Sequence, residues 1–179
     1  MVEGRIMEYF NLFDIPVSFH LDEAALKASF IKLSRECHPD HFTLASEEKQ
    51  EEMLERSTQI NNAYKVLNNF DQRLHYILTQ KGVLEGEGQD KLPQAFLMDM
   101  MDINETIMDL QFDPDPAKTA QAKEQIAAFD AELQKGIESV LQSPDAVHKE
   151  EALSSARDYY LKKKYLKRIY ENLDKVGRM

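Results

Sequence analysis

A chain of 179 residues, 42% hydrophobic and 30% charged with six glycines and six prolines, is long enough to bury a core and is neither fibrous nor largely disordered. Its 32 acidic against 22 basic residues give a net charge of -10, which argues against nucleic acid and against non-specific membrane adsorption. No apolar run approaches the ~20 residues of a membrane-spanning helix, and the start of the chain lacks the basic-then-apolar pattern of a signal peptide. A lone cysteine, Cys37, excludes an intramolecular disulfide and fits a reducing compartment, so a cytoplasmic protein is expected.

Strand signals are weak and the 3.6-residue period is strong throughout, which predicts an all-α fold. After the short apolar segment EYFNLFDIP, the stretch LDEAALKASFIKLSREC sets Leu26, Phe30, Leu33 and Cys37 on one helical stripe, with Asp22 and Glu23 suited to its first turn. Pro39 ends that helix, because the residue before a proline is pushed out of the helical region. A second long helix is expected from about Ser46 to Asn69, its stripe including Leu54, Ile60, Ala63, Tyr64 and Leu67. A shorter helix, DQRLHYILTQ, stops at Gly82.

The stretch KGVLEGEGQDKLP brings Gly82, Gly86 and Gly88 together ahead of Pro93 and reads as a linker. Three more helices are expected at roughly 93–111, 116–142 and 144–176. The first break, FDPDP, offers Asp115 as cap with Pro116 in the first helical position, and QSPD repeats the pattern with Ser143 and Pro144. Short connections between three helices suggest an antiparallel three-helix bundle. The expected organisation is thus an N-terminal domain at 7–81, a linker at 82–92 and a C-terminal bundle at 93–176.

Within the first half, RECHPDHF crowds Cys37, His38, Asp40 and His41 into five residues. All four are metal-ligating types, but near-consecutive side chains around a proline rarely converge on one tetrahedral centre, and no CxxC or HExxH completes a set. Cys37 falls on the apolar stripe, where a buried thiol acts as a small hydrophobe. A Cys/His catalytic dyad needs facing groups and a third that orients the base, and side chains leaving a helix end diverge. No metal, cofactor or catalytic residue is therefore expected. Two readings remain from the residues alone: an ordinary helix–helix connection, or a strained polar loop that offers an imidazole and a carboxylate to a partner while Lys27, Lys32 and Arg35 of the preceding helix steer its approach.

His38-Pro39-Asp40 between two long helices resembles the signature of the J-domain, the co-chaperone module that stimulates DnaK-type chaperone ATPases. ALKASFIKLSRECHPD is similar to that module's second helix, INNAYKVLNN to its third, and Arg73, Tyr76 and Leu78 to its short fourth, so the resemblance covers about 75 residues. His41 stands where a lysine or arginine is common, and Asn69-Phe70 where Asp-Pro is frequent. The resemblance implies that Asp40 forms an ion pair with an arginine of the chaperone, while His38 and Pro39 shape the loop.

In the second half, AFLMDMMDINE carries two arcs. At about 100° per residue, Phe96, Met100, Ile103, Ile107 and Leu110 share one face and form a core stripe. The opposite arc carries Leu97, Met98, Met101, Asp102, Glu105, Met108 and Asp109, which a bundle either buries in part or leaves exposed as a docking face. An all-helical segment of this length after a J-domain resembles the HscB family, J-proteins of iron–sulfur cluster biogenesis in their compact bacterial form. The resemblance implicates Leu97, Met98, Met101, Asp102, Glu105 and Asp109 in binding an IscU-type scaffold protein, with Tyr165 completing the face from the last helix. It implies a non-enzymatic co-chaperone with two partners, that scaffold and an HscA/DnaK-type chaperone ATPase; a generic J-domain co-chaperone with another client is the alternative. The cations Lys162, Lys163, Lys164, Lys167 and Arg168 of the last helix read as a solvated face partly paired with neighbouring acids.

Overall fold

The computed structural model describes residues 7–86 and 88–176, and these contain eight α-helices and no strand. They group into two compact units, one drawn from the chain up to Val83 together with Gln142–Lys149, the other from Leu84–Leu141 and from Glu150 onward.

In the first unit, α1 (Glu8–Leu12), α2 (Glu23–Glu36), α3 (Glu47–Leu67) and α4 (Phe70–Gln80) surround a core that includes Phe10, Phe19, Leu26, Ile60, Leu67, Leu74, Ile77 and Leu78. Local chemistry sets the helix starts. The Asp22 carboxylate accepts from the Ala24 and Ala25 amides at 3.0 Å, Ser46 Oγ from the Lys49 amide at 3.4 Å, and Asn69 Oδ1 from the Gln72 amide at 3.0 Å, satisfying donors that the first helical turn leaves unpaired. Helices α2 and α3 form the hairpin, with the Phe30 and Tyr64 rings stacked at 4.0 Å. α3 ends at Leu67, two residues before Asn69, because Asn69 caps α4.

The stripe of α3 also differs from expectation at one position: Leu54 is exposed and Met53 is buried. Seven residues separate Met53 from Ile60, which returns it to the same face, whereas Leu54 lies about 100° further round.

Arg73 fastens the unit from inside. Its guanidinium is buried, and it donates to the Phe19 carbonyl at 3.0 Å and to the Leu67 carbonyl. Burial lowers its pKa, with the Glu23 carboxylate opposing the drop. On α4, Tyr76 stacks on Tyr9 at 4.6 Å and accepts from the Tyr9 amide at 3.3 Å. Burial raises the Tyr76 pKa, and that hydrogen bond works the other way.

The second unit is a three-helix arrangement whose first member is interrupted. α5 (Gln94–Asp99) and α6 (Met101–Phe112) replace the single helix expected at 93–111, followed by α7 (Pro116–Gln142) and α8 (Glu150–Val176). The break falls at Met100 (φ -89, ψ -3), whose amide turns back to the Phe96 and Met98 carbonyls. Asp115 caps α7 as its position suggests, accepting from the Ala117 and Lys118 amides at 2.8 and 3.2 Å with Pro116 at the first helical position. α8 begins six residues later than Pro144. The segment first closes a 3-10 turn, Ala146–His148, whose Ala146 and Val147 are buried, and Lys149 is extended before Glu150 and Glu151 open the helix.

The core of this unit joins Phe96, Met100, Ile103, Ile107 and Leu110 to Ala122 and Ile126 of α7 and to Leu166, Ile169 and Leu173 of α8. Each of the larger side chains, Ala122 apart, contributes about 1.5–3 kcal/mol by leaving water.

Candidate functional site

Two groups of sequence-predicted residues stand on the surface, one on each unit. On the first, His38 takes the extended conformation that a following proline requires (φ -65, ψ 126), and Pro39 opens a 3-10 turn, Pro39–Phe42. The turn is tied by its own groups. His38 Nδ1 accepts from the Asp40 amide at 3.3 Å, and the His38 carbonyl accepts from the His41 amide at 3.0 Å.

Asp40 Oδ2 lies 3.6 Å from His38 Nδ1, and the two side chains are 84% and 51% exposed. The carboxylate is therefore aimed at solvent from a rigid turn, a geometry suited to an incoming guanidinium. His41 meets the His38 ring edge-on at 6.0 Å between centroids.

The long helices anchor this turn at both ends. Cys37 is buried at the end of α2, as its place on the apolar stripe implies. Gln50, on the first turn of α3, donates through Nε2 to the Thr43 carbonyl at 3.3 Å and to the Ala45 carbonyl at 2.9 Å. Lys27, Lys32 and Arg35 are all exposed, within an arc of α2 opposite its buried stripe. Two features here have no counterpart in the sequence reading: the Gln50 anchor, and Leu44, an apolar side chain fully exposed between the turn and α3. Among the described residues no group of three or more His, Cys, Asp or Glu side chains is placed to hold a metal ion. Cys37 points into the core while His38 and Asp40 face water.

On the second unit the two arcs of α5 and α6 separate cleanly. Phe96, Met100, Ile103, Ile107 and Leu110 are buried, and Leu97, Met98, Met101, Asp102, Glu105, Met108 and Asp109 are exposed. Leu97, at 40%, is the least exposed of the apolar groups on the second arc. Phe112, at 87% exposure, continues the face one turn beyond Met108 and was not singled out from the sequence. Between Lys91 and Lys118 the sequence contains acids and no cation, so carboxylates are interspersed with the exposed apolar groups along this stretch.

Tyr165 is half-buried against the core. Its ring meets Phe96 edge-on at 5.6 Å, and its hydroxyl accepts from Asn104 Nδ2 at 2.8 Å. Asn104 Nδ2 also donates to the Met100 carbonyl at 2.8 Å, so one amide joins the helix break to α8. The cations of α8 are partly committed: Lys163 pairs with Asp130 at 2.5 Å, Lys162 lies 5.7 Å over the Phe96 ring, and Arg168 lies 5.2 Å over Tyr165. No helix among the described residues is long and apolar enough to cross a membrane.

Two family models match the chain: a DnaJ domain over residues 8–76 and an HSCB C-terminal oligomerisation domain over residues 92–174. The chain is 32% identical over 171 residues to a co-chaperone protein HscB homolog of Vibrio atlanticus (strain LGP32), covering 95% of this chain and 96% of that protein. Over 110 residues, 61% of this chain and 63% of the relative, it is 40% identical to the HscB homolog of Colwellia psychrerythraea. Among solved structures it is similar to the chaperone HscB from Vibrio cholerae, with a TM-score of 0.64 and 25% identity over 96% of this chain and 98% of that one. Human co-chaperone protein HscB is similar with a TM-score of 0.70 and 26% identity, over 93% of this chain and 80% of that one.

Proposed function

Since the chain belongs to the HscB family of J-domain co-chaperones, we propose that it binds an IscU-type iron–sulfur scaffold protein, delivers it to an HscA- or DnaK-type chaperone and stimulates that chaperone's ATPase, aiding cluster transfer. The co-chaperone is not itself an enzyme in this reading; hydrolysis takes place on its partner, in the cytoplasm. Asp40 forms the ion pair with a chaperone arginine, His38 and Pro39 hold the turn, and Lys27, Lys32 and Arg35 steer the approach. Leu97, Met98, Met101, Asp102, Glu105, Asp109 and Tyr165 receive the scaffold.

The observation that carries the proposal is the pairing, in one chain, of an exposed carboxylate on a self-tied turn with an exposed apolar face interspersed with carboxylates. Such a face fits a partner surface that is apolar at its centre and edged with lysine or arginine. Carrying both surfaces on one chain raises the effective concentration of scaffold at the chaperone, so two modest interfaces act as one strong one.

The test is single-turnover ATP hydrolysis by the chaperone with the co-chaperone, the scaffold, or both. The expected result is stimulation by the co-chaperone alone and a further increase when scaffold is added. Stimulation without any scaffold affinity would instead assign a J-protein with a different client.

A further inference from the structure

The six methionines whose burial is described fall into two classes. Met7, Met53 and Met100 are buried, at 5%, 7% and 0% exposure, whereas Met98, Met101 and Met108 are 64%, 55% and 61% exposed. All three exposed thioethers belong to the same arc of α5 and α6, beside Leu97 and Phe112. We infer that Met98, Met101 and Met108 are a modification site for hydroperoxides, and that their oxidation to sulfoxide weakens docking of the partner on this face. The second half of the inference rests on the docking role proposed above; the first does not.

The chemistry needs only access. A thioether lone pair attacks one oxygen of hydrogen peroxide, the O–O bond breaks, and a sulfur–oxygen bond forms. Sulfur loses two electrons, the peroxide is reduced to water, and the proton of the transferred oxygen passes to the departing hydroxide. No protein base or metal is required. The buried methionines are screened from the oxidant by the packing that surrounds them. The exposed three are open at the face whose use depends on their being apolar and adaptable.

Oxidation turns each flexible apolar group into a polar, chiral one with an oxygen that accepts hydrogen bonds. Docked against an apolar surface, that oxygen has no donor, and each sulfoxide left unpartnered lowers affinity roughly tenfold. The His38-Pro39-Asp40 turn contains no methionine, so chaperone stimulation is not touched. Sulfoxides are reducible enzymatically, which makes the change a reversible one.

The full-length protein is treated with hydrogen peroxide, catalase removes the remainder, and only then is scaffold added, so that the scaffold is never oxidised. Peptide mass mapping is expected to find one added oxygen at Met98, Met101 and Met108 well before Met7, Met53 or Met100. Scaffold affinity should fall roughly tenfold or more, with stimulation of the chaperone by co-chaperone alone unchanged, and methionine sulfoxide reductases should restore it. The M98L/M101L/M108L variant should bind scaffold equally before and after peroxide. Equal oxidation of buried and exposed methionines would overturn the site. Full affinity after oxidation of the three, while L97A/M98A/M101A loses it, would overturn the oxidation effect and leave the docking role standing. Unchanged affinity in both would remove the docking role itself.

Discussion

In the first unit the recognition groups are held by hydrogen bonds internal to one connection: the Asp40 amide to His38 Nδ1, the His41 amide to the His38 carbonyl, and Gln50 reaching back to Thr43 and Ala45. In the second unit the apolar recognition groups offer no atoms for such bonds, and Tyr165 is held by Asn104 Nδ2. Met98, Met101 and Met108 project from α5 and α6, whose opposite stripes are fixed in the core. A turn of the first kind presents one charge in one direction, so its target must match it in geometry and a single atom decides the outcome. A face of the second kind presents area, and its flexible thioethers adjust to the surface they meet. Sensitivity to substitution should therefore be all-or-none in the first unit and graded in the second.

The largest effect is expected from Asp40→Asn. On the proposed ion pair, replacing the carboxylate removes the charge partner of a chaperone arginine, a loss of about 2–5 kcal/mol, so stimulated ATP hydrolysis should fall on the order of 100-fold. Because the side chain is 84% exposed, thermal unfolding should shift by less than ~0.5 kcal/mol. Retained stimulation would show that the turn is an ordinary connection and would dissolve the contrast.

Next in size is the L97A/M98A/M101A triple, expected to weaken scaffold binding by about 30–100-fold while leaving stimulation by the co-chaperone alone intact. The single variants and Phe112→Ala should each cost only about 1 kcal/mol, a loss of roughly fivefold by titration calorimetry. If Met101→Ala alone accounted for the whole triple, the face would contain a point contact and would resemble the turn after all.

Smaller still is Gln50→Ala. Each of its two hydrogen bonds is exposed and stabilises the turn by about 0.5–1.5 kcal/mol. Losing them should reduce ATPase stimulation roughly threefold without changing scaffold affinity. A variant indistinguishable from the parent would mean that the turn is rigid by its own bonds alone.

The contrast also separates what could be read in the sequence from what could not. The caps at Asp22, Ser46 and Asp115 obey rules that span three residues, and the buried stripe from Phe96 to Leu110 obeys a period, so both were legible. The exposure of the opposite arc followed from the same period once the core stripe was known. The position of Met53 was legible in principle, since its spacing from Ile60 fixes its phase. The interruption at Met100 was not: no glycine or proline marks it, and the Asn104 amide that reaches the Met100 carbonyl is shared with the Tyr165 hydroxyl, 61 residues away in sequence. Arg73 shows the same limit. Its sequence neighbours place it on a helix, but only the fold shows that it donates to carbonyls of Phe19 and Leu67. The delayed start of α8 belongs with these: the Ser143-Pro144 signal is followed by a 3-10 turn whose Ala146 and Val147 are buried, and no local pattern announces it.

The smallest predicted effect probes whether the second unit is as free of internal organisation as the comparison supposes. Asn104 Nδ2 is shared between the Met100 carbonyl at the helix break and the Tyr165 hydroxyl, so this amide relates the direction of α5, and hence of Leu97 and Met98, to α8. Tyr165→Phe deletes the hydroxyl while keeping the ring against Phe96, and Asn104→Ala deletes the donor. Each should destabilise the bundle by about 0.5–1.5 kcal/mol, with a coupling of about 0.5–1 kcal/mol in the double-mutant cycle read by denaturant unfolding. If the amide also aims the face, both variants lower scaffold affinity by about threefold, and the double variant loses no more than either single one. If the thioethers adapt as freely as their chemistry allows, stability falls and affinity does not. The first outcome would give the methionine face an internal hydrogen-bonded scaffold of the kind that holds the turn, and would reduce the contrast between the units to one of degree.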